Sequence, residues 1–132
     1  VFEENTAIKN NKWNIKQVVK YSVNIQDTVS KHNLYINIRN GGAYEYSNLY
    51  LFIRTRLPNK KIITDTLECI LADNQGRWLG RGTGQVLDNR IPFKKNVQFK
   101  DTGNYIFEIE QAMRLEELPE IYDVGLRIEK VN

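Results

Sequence analysis

The chain has 132 residues, of which 41% are hydrophobic and 27% charged, a balance that describes one globular domain with a continuous core rather than a disordered segment. Its 19 basic and 16 acidic residues leave a net charge of +3, too even for the one-sided Lys/Arg footprint of a nucleic-acid binder. No apolar run approaches the roughly 20 residues of a membrane-spanning helix, and no signal peptide is present, so any targeting segment is expected to lie outside this sequence.

Residues 1–17 are polar and aperiodic (Asn10, Asn11, Lys12, Asn14) and read as a tether, with Phe2 and Trp13 as possible points of docking. From residue 18 to 132 period-two alternation takes over, the pattern of half-buried strands. Val19, Tyr21, Val23 and Ile25 alternate with polar residues. Leu34, Ile36 and Ile38 form a second strand ending at Asn40-Gly41-Gly42, and Leu49, Leu51 and Ile53 a third closed by Pro58-Asn59. A fourth runs about Ile62–Leu71, with Leu67, Cys69 and Leu71 on one face. A short one is expected around Arg77–Leu79 and another around Ile91–Phe99, where Pro92 suits an edge or bulge. Tyr105, Phe107 and Ile109 open a long strand, and Val124, Leu126 and Ile128 form the last. Only Met113–Leu118 reads as helical, stopped by Pro119.

Seven or eight strands without intervening helices predict an all-β fold, a single antiparallel β-sandwich. Ile36, Ile38, Leu51, Leu67, Phe107 and Leu126 are its expected core. Asp101-Thr102-Gly103-Asn104-Tyr105 has the spacing of a tyrosine corner, whose hydroxyl bonds back to nearby backbone. That favours an immunoglobulin-like sandwich over a barrel and leaves a jelly roll open. The lysine pairs Lys60-Lys61 and Lys94-Lys95 fit turns and sheet edges, where they discourage edge-to-edge pairing.

Catalytic parts are scarce. Cys69 is the single cysteine, so an intramolecular disulfide is excluded, and its apolar neighbours predict a buried, inert thiol. His32 is the single histidine, which removes any multi-histidine metal site and leaves serine triads short of a base. Gly80-Arg81-Gly82-Thr83-Gly84 lacks the following helix a phosphate loop needs, and reads as a turn. Glu108 and Glu110 lie two apart on a strand, a spacing that retaining glycosidases can use, but also the ordinary pattern of a solvated strand.

The residues between the strand aliphatics are more informative. Tyr35, Asn37 and Arg39 lie opposite Leu34, Ile36 and Ile38; Tyr50, Phe52, Arg54 and Arg56 lie opposite Leu49, Leu51 and Ile53. Tyr, Phe and Arg are enriched at interface cores. Tyr35, Arg39, Tyr50, Phe52 and Arg54 are therefore candidate partner contacts, with Trp78 and Arg81 of the Trp78–Gly84 loop as a second candidate. Alternatively Tyr50 and Phe52 fill the core, or the N-terminal segment covers them.

Long collinear stretches carry a family likeness. They are Val1–Asn5, Trp13, Asn48–Phe52, Ile63–Gly84, Asn89-Arg90-Ile91, Glu110–Arg114 and Asp123–Glu129. In these the chain resembles the gliding motility lipoprotein GldH family of Bacteroidetes-type bacteria. The resemblance implies a small lipoprotein of the cell envelope, associated with gliding motility and the type IX secretion machinery and facing the periplasm. Its acylated cysteine would lie just ahead of Val1. Cys69 cannot replace it, because acylation requires a new N-terminus. The resemblance further implies envelope proteins of that machinery as partners, membrane attachment through the lipid, no cofactor, and no catalytic residues to carry over. A non-enzymatic assembly or scaffold module is the expected role; a glycan-binding or glycan-processing sandwich is the alternative.

Overall fold

A computed structural model describes residues 1–82 and 85–132. Among the described residues ten strands follow in order: β1 Phe2–Ala7, β2 Lys12–Asn14, β3 Val19–Ile25, β4 Lys31–Gly41, β5 Asn48–Arg56, β6 Ile62–Ile70, β7 Val86–Gln98, β8 Gly103–Gln111, β9 Glu117–Pro119 and β10 Ile121–Lys130. The eight longer ones form two antiparallel sheets. The front sheet has the order β1-β10-β4-β7 and the back sheet β3-β8-β5-β6. Of these eight, taken along the chain, the first pairs with the last, the second with the seventh, the third with the sixth and the fourth with the fifth. A long ribbon folded over on itself in this way is a jelly roll, so of the two sandwich types the sequence leaves open this one is adopted.

The core lies between the sheets, and the alternation places it there. In β3 and β8 every second residue is buried, Val19 to Ile25 against Tyr105, Phe107 and Ile109. Leu34, Ile36 and Ile38 of β4 and Val124, Leu126 and Ile128 of β10 supply the front half, and Leu49, Leu51 and Ile53 of β5 complete the back. Of the six expected core residues, five are buried. Leu67 is only partly so, because β6 is an edge strand that the front sheet covers incompletely. Tyr105 Oη donates to the Asp101 carbonyl at 2.7 Å, the bond its spacing predicts. The motif therefore reports a local corner that a jelly roll also uses.

Two expectations are corrected. Residues 1–17 are part of the sandwich rather than a tether. β1 pairs along its whole length with β10, from Phe2↔Ile128 to Ala7↔Asp123, Ile8 is buried, and Trp13 is fully enclosed. Trp13 Nε1 donates to the Gln17 carbonyl at 2.8 Å, and the residue faces Leu118 across the β2–β9 ribbon, closing one end of the core. The polar alternation of β1 hides its strand character because its outer face is solvated and its inner one carries only Phe2, Glu4 and Thr6. Gly125 of β10 leaves room for it, since a Cβ there would meet Asn5 Oδ1 and the Glu4 carbonyl.

The second correction concerns Met113–Leu118, which is not helical. Gln111, buried, turns its side chain onto the following loop: Nε2 donates to the Leu115 carbonyl at 2.5 Å, and Oε1 accepts the Met113 N–H at 2.8 Å. Leu118 is then drawn into β9 against Trp13. Tertiary contacts override a weak local preference here. β7 also starts earlier than its pattern suggests. Asn89 occupies an inward position, where its amide donates to the Ile38 carbonyl and to Asn40 Oδ1, so a polar residue there does not mark a loop.

Candidate docking surfaces

Since both β4 and β5 turn their aliphatic residues inward, their aromatic and arginine residues point away from each other. Tyr35 and Arg39 belong to the outer face of the front sheet; Tyr50, Phe52 and Arg54 belong to the outer face of the back sheet. The candidates thus divide between opposite sides of the sandwich and do not form one surface. Identical strand patterns cannot reveal this, because alternation tells which residues share a face but not which way that face looks.

On the back sheet, Tyr50 and Phe52 are 39% and 41% exposed. They neither fill the core nor lie under the N-terminal segment, which joins the front sheet. Cross-strand rows set their neighbours: Tyr50 sits beside Glu68, Phe52 between Thr66 and Glu110, and Arg54 between Thr64 and Glu108. Arg54 reaches both glutamates, Nη1 to Glu110 Oε1 at 3.0 Å and Nε to Glu108 Oε1 at 3.4 Å. Its guanidinium pKa is pushed up, first by the bond to Glu110. The two carboxylates whose spacing admitted glycoside chemistry are therefore bracketed by one arginine. The Tyr50 backbone N–H donates to Met113 Sδ at 3.2 Å. The hydroxyl's own pKa is raised by the charge of Glu68.

On the front sheet the outer face is a lattice of charge. Glu3 accepts from Asn37 Nδ2 at 2.8 Å and pairs with Arg127 at 2.9 Å; Arg127 also pairs with Glu129 at 3.1 Å. The bond from Asn37 is the main reason that Glu3 titrates below the usual carboxylate range. Tyr35 Oη donates to Glu129 Oε1 at 3.1 Å. Arg39 bridges Asp88 at 2.7 Å and Asp123 at 3.2 Å, and its pKa is raised chiefly by Asp88. Beside this lattice lies a depression of about 800 Å³, lined by Glu3, Asn37, Arg39, Arg81, Asp88 and Arg90 among others. Glu3 and Arg90 are not among the sequence candidates, because the depression is assembled from strands far apart along the chain.

The loop candidates sit at the rim. Trp78 is half-buried, its ring 6.4 Å from that of Tyr44. Arg81 is exposed and exchanges two 2.8 Å backbone hydrogen bonds with Asp88. Gly80 lies so close over β7 that a Cβ would meet Asn89 Oδ1 and the Asp88 carbonyl. Close packing on a strand thus accounts for that glycine. Thr83 and Gly84 lie outside the described residues. Cys69 is buried, and burial pushes its thiol up to about 12. Among the described residues no group of three or more His, Cys, Asp or Glu could hold a metal ion.

Comparison with known proteins follows the same length of chain. The family described as GldH lipoprotein matches residues 1–128. The chain is 39% identical over 137 aligned positions to the gliding motility lipoprotein GldH homolog of Christiangramia forsetii, covering 98% of this chain and 83% of that protein. It is 32% identical to the gliding motility lipoprotein GldH of Flavobacterium johnsoniae, with 98% and 84% covered. A solved structure of infectious bursal disease virus, Gx strain, aligns with 99% of this chain and 30% of its own at a TM-score of 0.41 and 14% identity.

Proposed function

Given that the chain belongs to the GldH lipoprotein family, we propose that it is a non-enzymatic docking module, anchored to a membrane of the cell envelope by lipid and facing the periplasm. There it serves the assembly of the gliding machinery and the type IX secretion apparatus by holding an envelope protein. The names of its relatives support the motility and lipoprotein parts of this reading. The observation that carries the docking part is the back-sheet face, where Tyr50 and Phe52 stand exposed on regular, paired strands beside the Arg54–Glu108–Glu110 group. Rigid aromatic side chains on a pre-formed sheet lose little conformational freedom on binding, and arginine adds directional bonds. Anchoring also confines the domain and its partner to one surface, which raises their effective concentration.

The test is co-purification from native envelopes of the lipidated protein and its Tyr50→Ala and Phe52→Ala variants. An anchor residue contributes about 2 kcal/mol, so each variant should weaken partner recovery roughly 30-fold. Unchanged recovery with both folded variants would refute the surface. A second reading is favoured by the front-sheet depression, whose amides, arginines and carboxylates suit a polar ligand such as a glycan. Calorimetric titration with envelope glycans, with Arg81→Ala and Arg90→Ala as controls, decides whether that depression binds.

A further inference from the structure

The sheet edges are not equally protected. β7, the front edge beside β6, carries Pro92, the lysines Lys94 and Lys95, and two register shifts against β4, all devices that block a further strand. β6, the neighbouring back edge, has none of these between Ile62 and Ile70, Lys60 and Lys61 lying in the turn before it. It pairs with β5 without a bulge from Asn48↔Ile70 to Arg56↔Ile62. It also exposes three isoleucines, Ile62 at 61%, Ile63 at 43% and Ile70 at 48%. Its one inward charge, Asp65, is neutralised from the front sheet by Lys94 at 3.3 Å.

Hydrogen bonds at the two ends of the ribbon, Leu57 N–H to the Lys61 carbonyl and Leu71 N–H to the Ser47 carbonyl, set its phase. Ile63, Asp65, Leu67 and Cys69 bond to β5. Ile62, Thr64, Thr66, Glu68 and Ile70 turn their N–H and C=O groups outward, away from β5. The free edge ends just past Ile70, where the Leu71 carbonyl accepts the Leu79 N–H.

We propose that this edge pairs with the β6 edge of a second copy of the chain, antiparallel about a two-fold axis at Thr66. A two-fold perpendicular to the sheet keeps each side chain on its own face, so only registers matching outward residues with outward residues are allowed. Centring on Asp65 would oppose two aspartates, and centring on Glu68 two glutamates, which is destabilising. Centring on Thr66 avoids both. It places Ile62 opposite Ile70 of the second copy at both ends of the ribbon, and Thr64 opposite Glu68. Every outward N–H and C=O from Ile62 to Ile70 then finds a partner, and the two back sheets become one continuous sheet. The most exposed isoleucines of the strand are thereby covered.

Sedimentation velocity over a concentration series tests this, with circular dichroism to verify folding. The wild-type chain should move from 15.5 kDa toward twice that mass. Ile62→Lys and Ile70→Glu should each abolish the shift, and the double variant should restore it, because the new lysine faces the new glutamate across the axis. Thr66→Cys gives an independent readout. It should form a dimer with a short bifunctional maleimide, whereas Asn24→Cys on β3 should not; native Cys69 is buried and silent. A wild-type chain monomeric at every concentration would overturn the proposal. So would a dimer that survives both single substitutions, a folded double variant that stays monomeric, or no cross-link at Thr66→Cys. If the edge instead captures an extended segment of another envelope protein while the chain stays monomeric, the second copy is the wrong occupant.

Discussion

Replacing Trp13 by alanine measures whether residues 1–17 belong to the domain. The side chain is 0% exposed, faces Leu118 and donates its ring N–H to the Gln17 carbonyl. Truncating a buried tryptophan to alanine costs about 3–5 kcal/mol from lost burial and the cavity left behind. The lost hydrogen bond, worth about 1 kcal/mol, falls within that range rather than adding to it. At about 4 kcal/mol, and roughly 3–4 °C per kcal/mol for a chain of this size, Trp13→Ala should lower the melting temperature by roughly 12–16 °C. Urea unfolding should show a lower midpoint at unchanged slope, since the surface exposed on unfolding stays nearly the same. A tethered tryptophan in solvent would change stability by about 0.5 kcal/mol or less. A melting shift of only one or two degrees would therefore refute the closure of the core by the β2–β9 ribbon.

Two further outcomes are expected. Asp27 accepts the Ser30 and Val29 N–H groups at 2.9 Å, and its pKa is lowered from 3.8 to about 2, mainly by the Ser30 backbone bond. A folded pKa below the unfolded one stabilises above pH 4 and is lost as pH falls through 2. Urea midpoints of wild type and Asp27→Asn should therefore differ at pH 5 and converge near pH 2; a constant difference would disprove the linkage. Cys69, buried and pushed up to about 12, should resist a thiol reagent in the native protein at pH 8 and react fully in denaturant. Rapid native labelling would show that β6 opens locally.

The strands with one aliphatic and one polar face were legible because alternation is a direct imprint of a sheet with water on one side. Ile36, Leu51 and Phe107 could be placed in the core on that basis alone. β1 was not legible. Its inner residues include Glu4 and Thr6, and its pairing partner lies at the far end of the sequence, so no local window contains the information. The loop after β8 failed for a related reason: Gln111 and Leu118 answer to Trp13, not to their neighbours. For the docking residues, the sequence showed which side chains share a strand face. The relative direction of two faces depends on which sheet each strand joins, and it was the fold-over of the ribbon that separated Tyr35 and Arg39 from Tyr50, Phe52 and Arg54. The front-sheet depression was the least visible, being assembled from β1, β4, β7 and β10 together.

The position of β1 bears on how the domain would carry load. Its backbone ladder is with β10 alone, on one side, while its side chains also reach Tyr21, Asn37 and Arg90. Under the proposed lipid anchoring, if the lipid lies on its N-terminal side, β1 would be the first element to take up a pull. A pull directed across the strand would strain Phe2↔Ile128 first and then peel each pair in turn toward Ala7. The same pull along the strand would stretch all the pairs together, a far stiffer arrangement. Behind β1, the enclosed Ile8 and Trp13 form a second catch that must leave the core before unravelling can continue. Resistance to traction should accordingly depend on direction and be greatest for a pull parallel to β1.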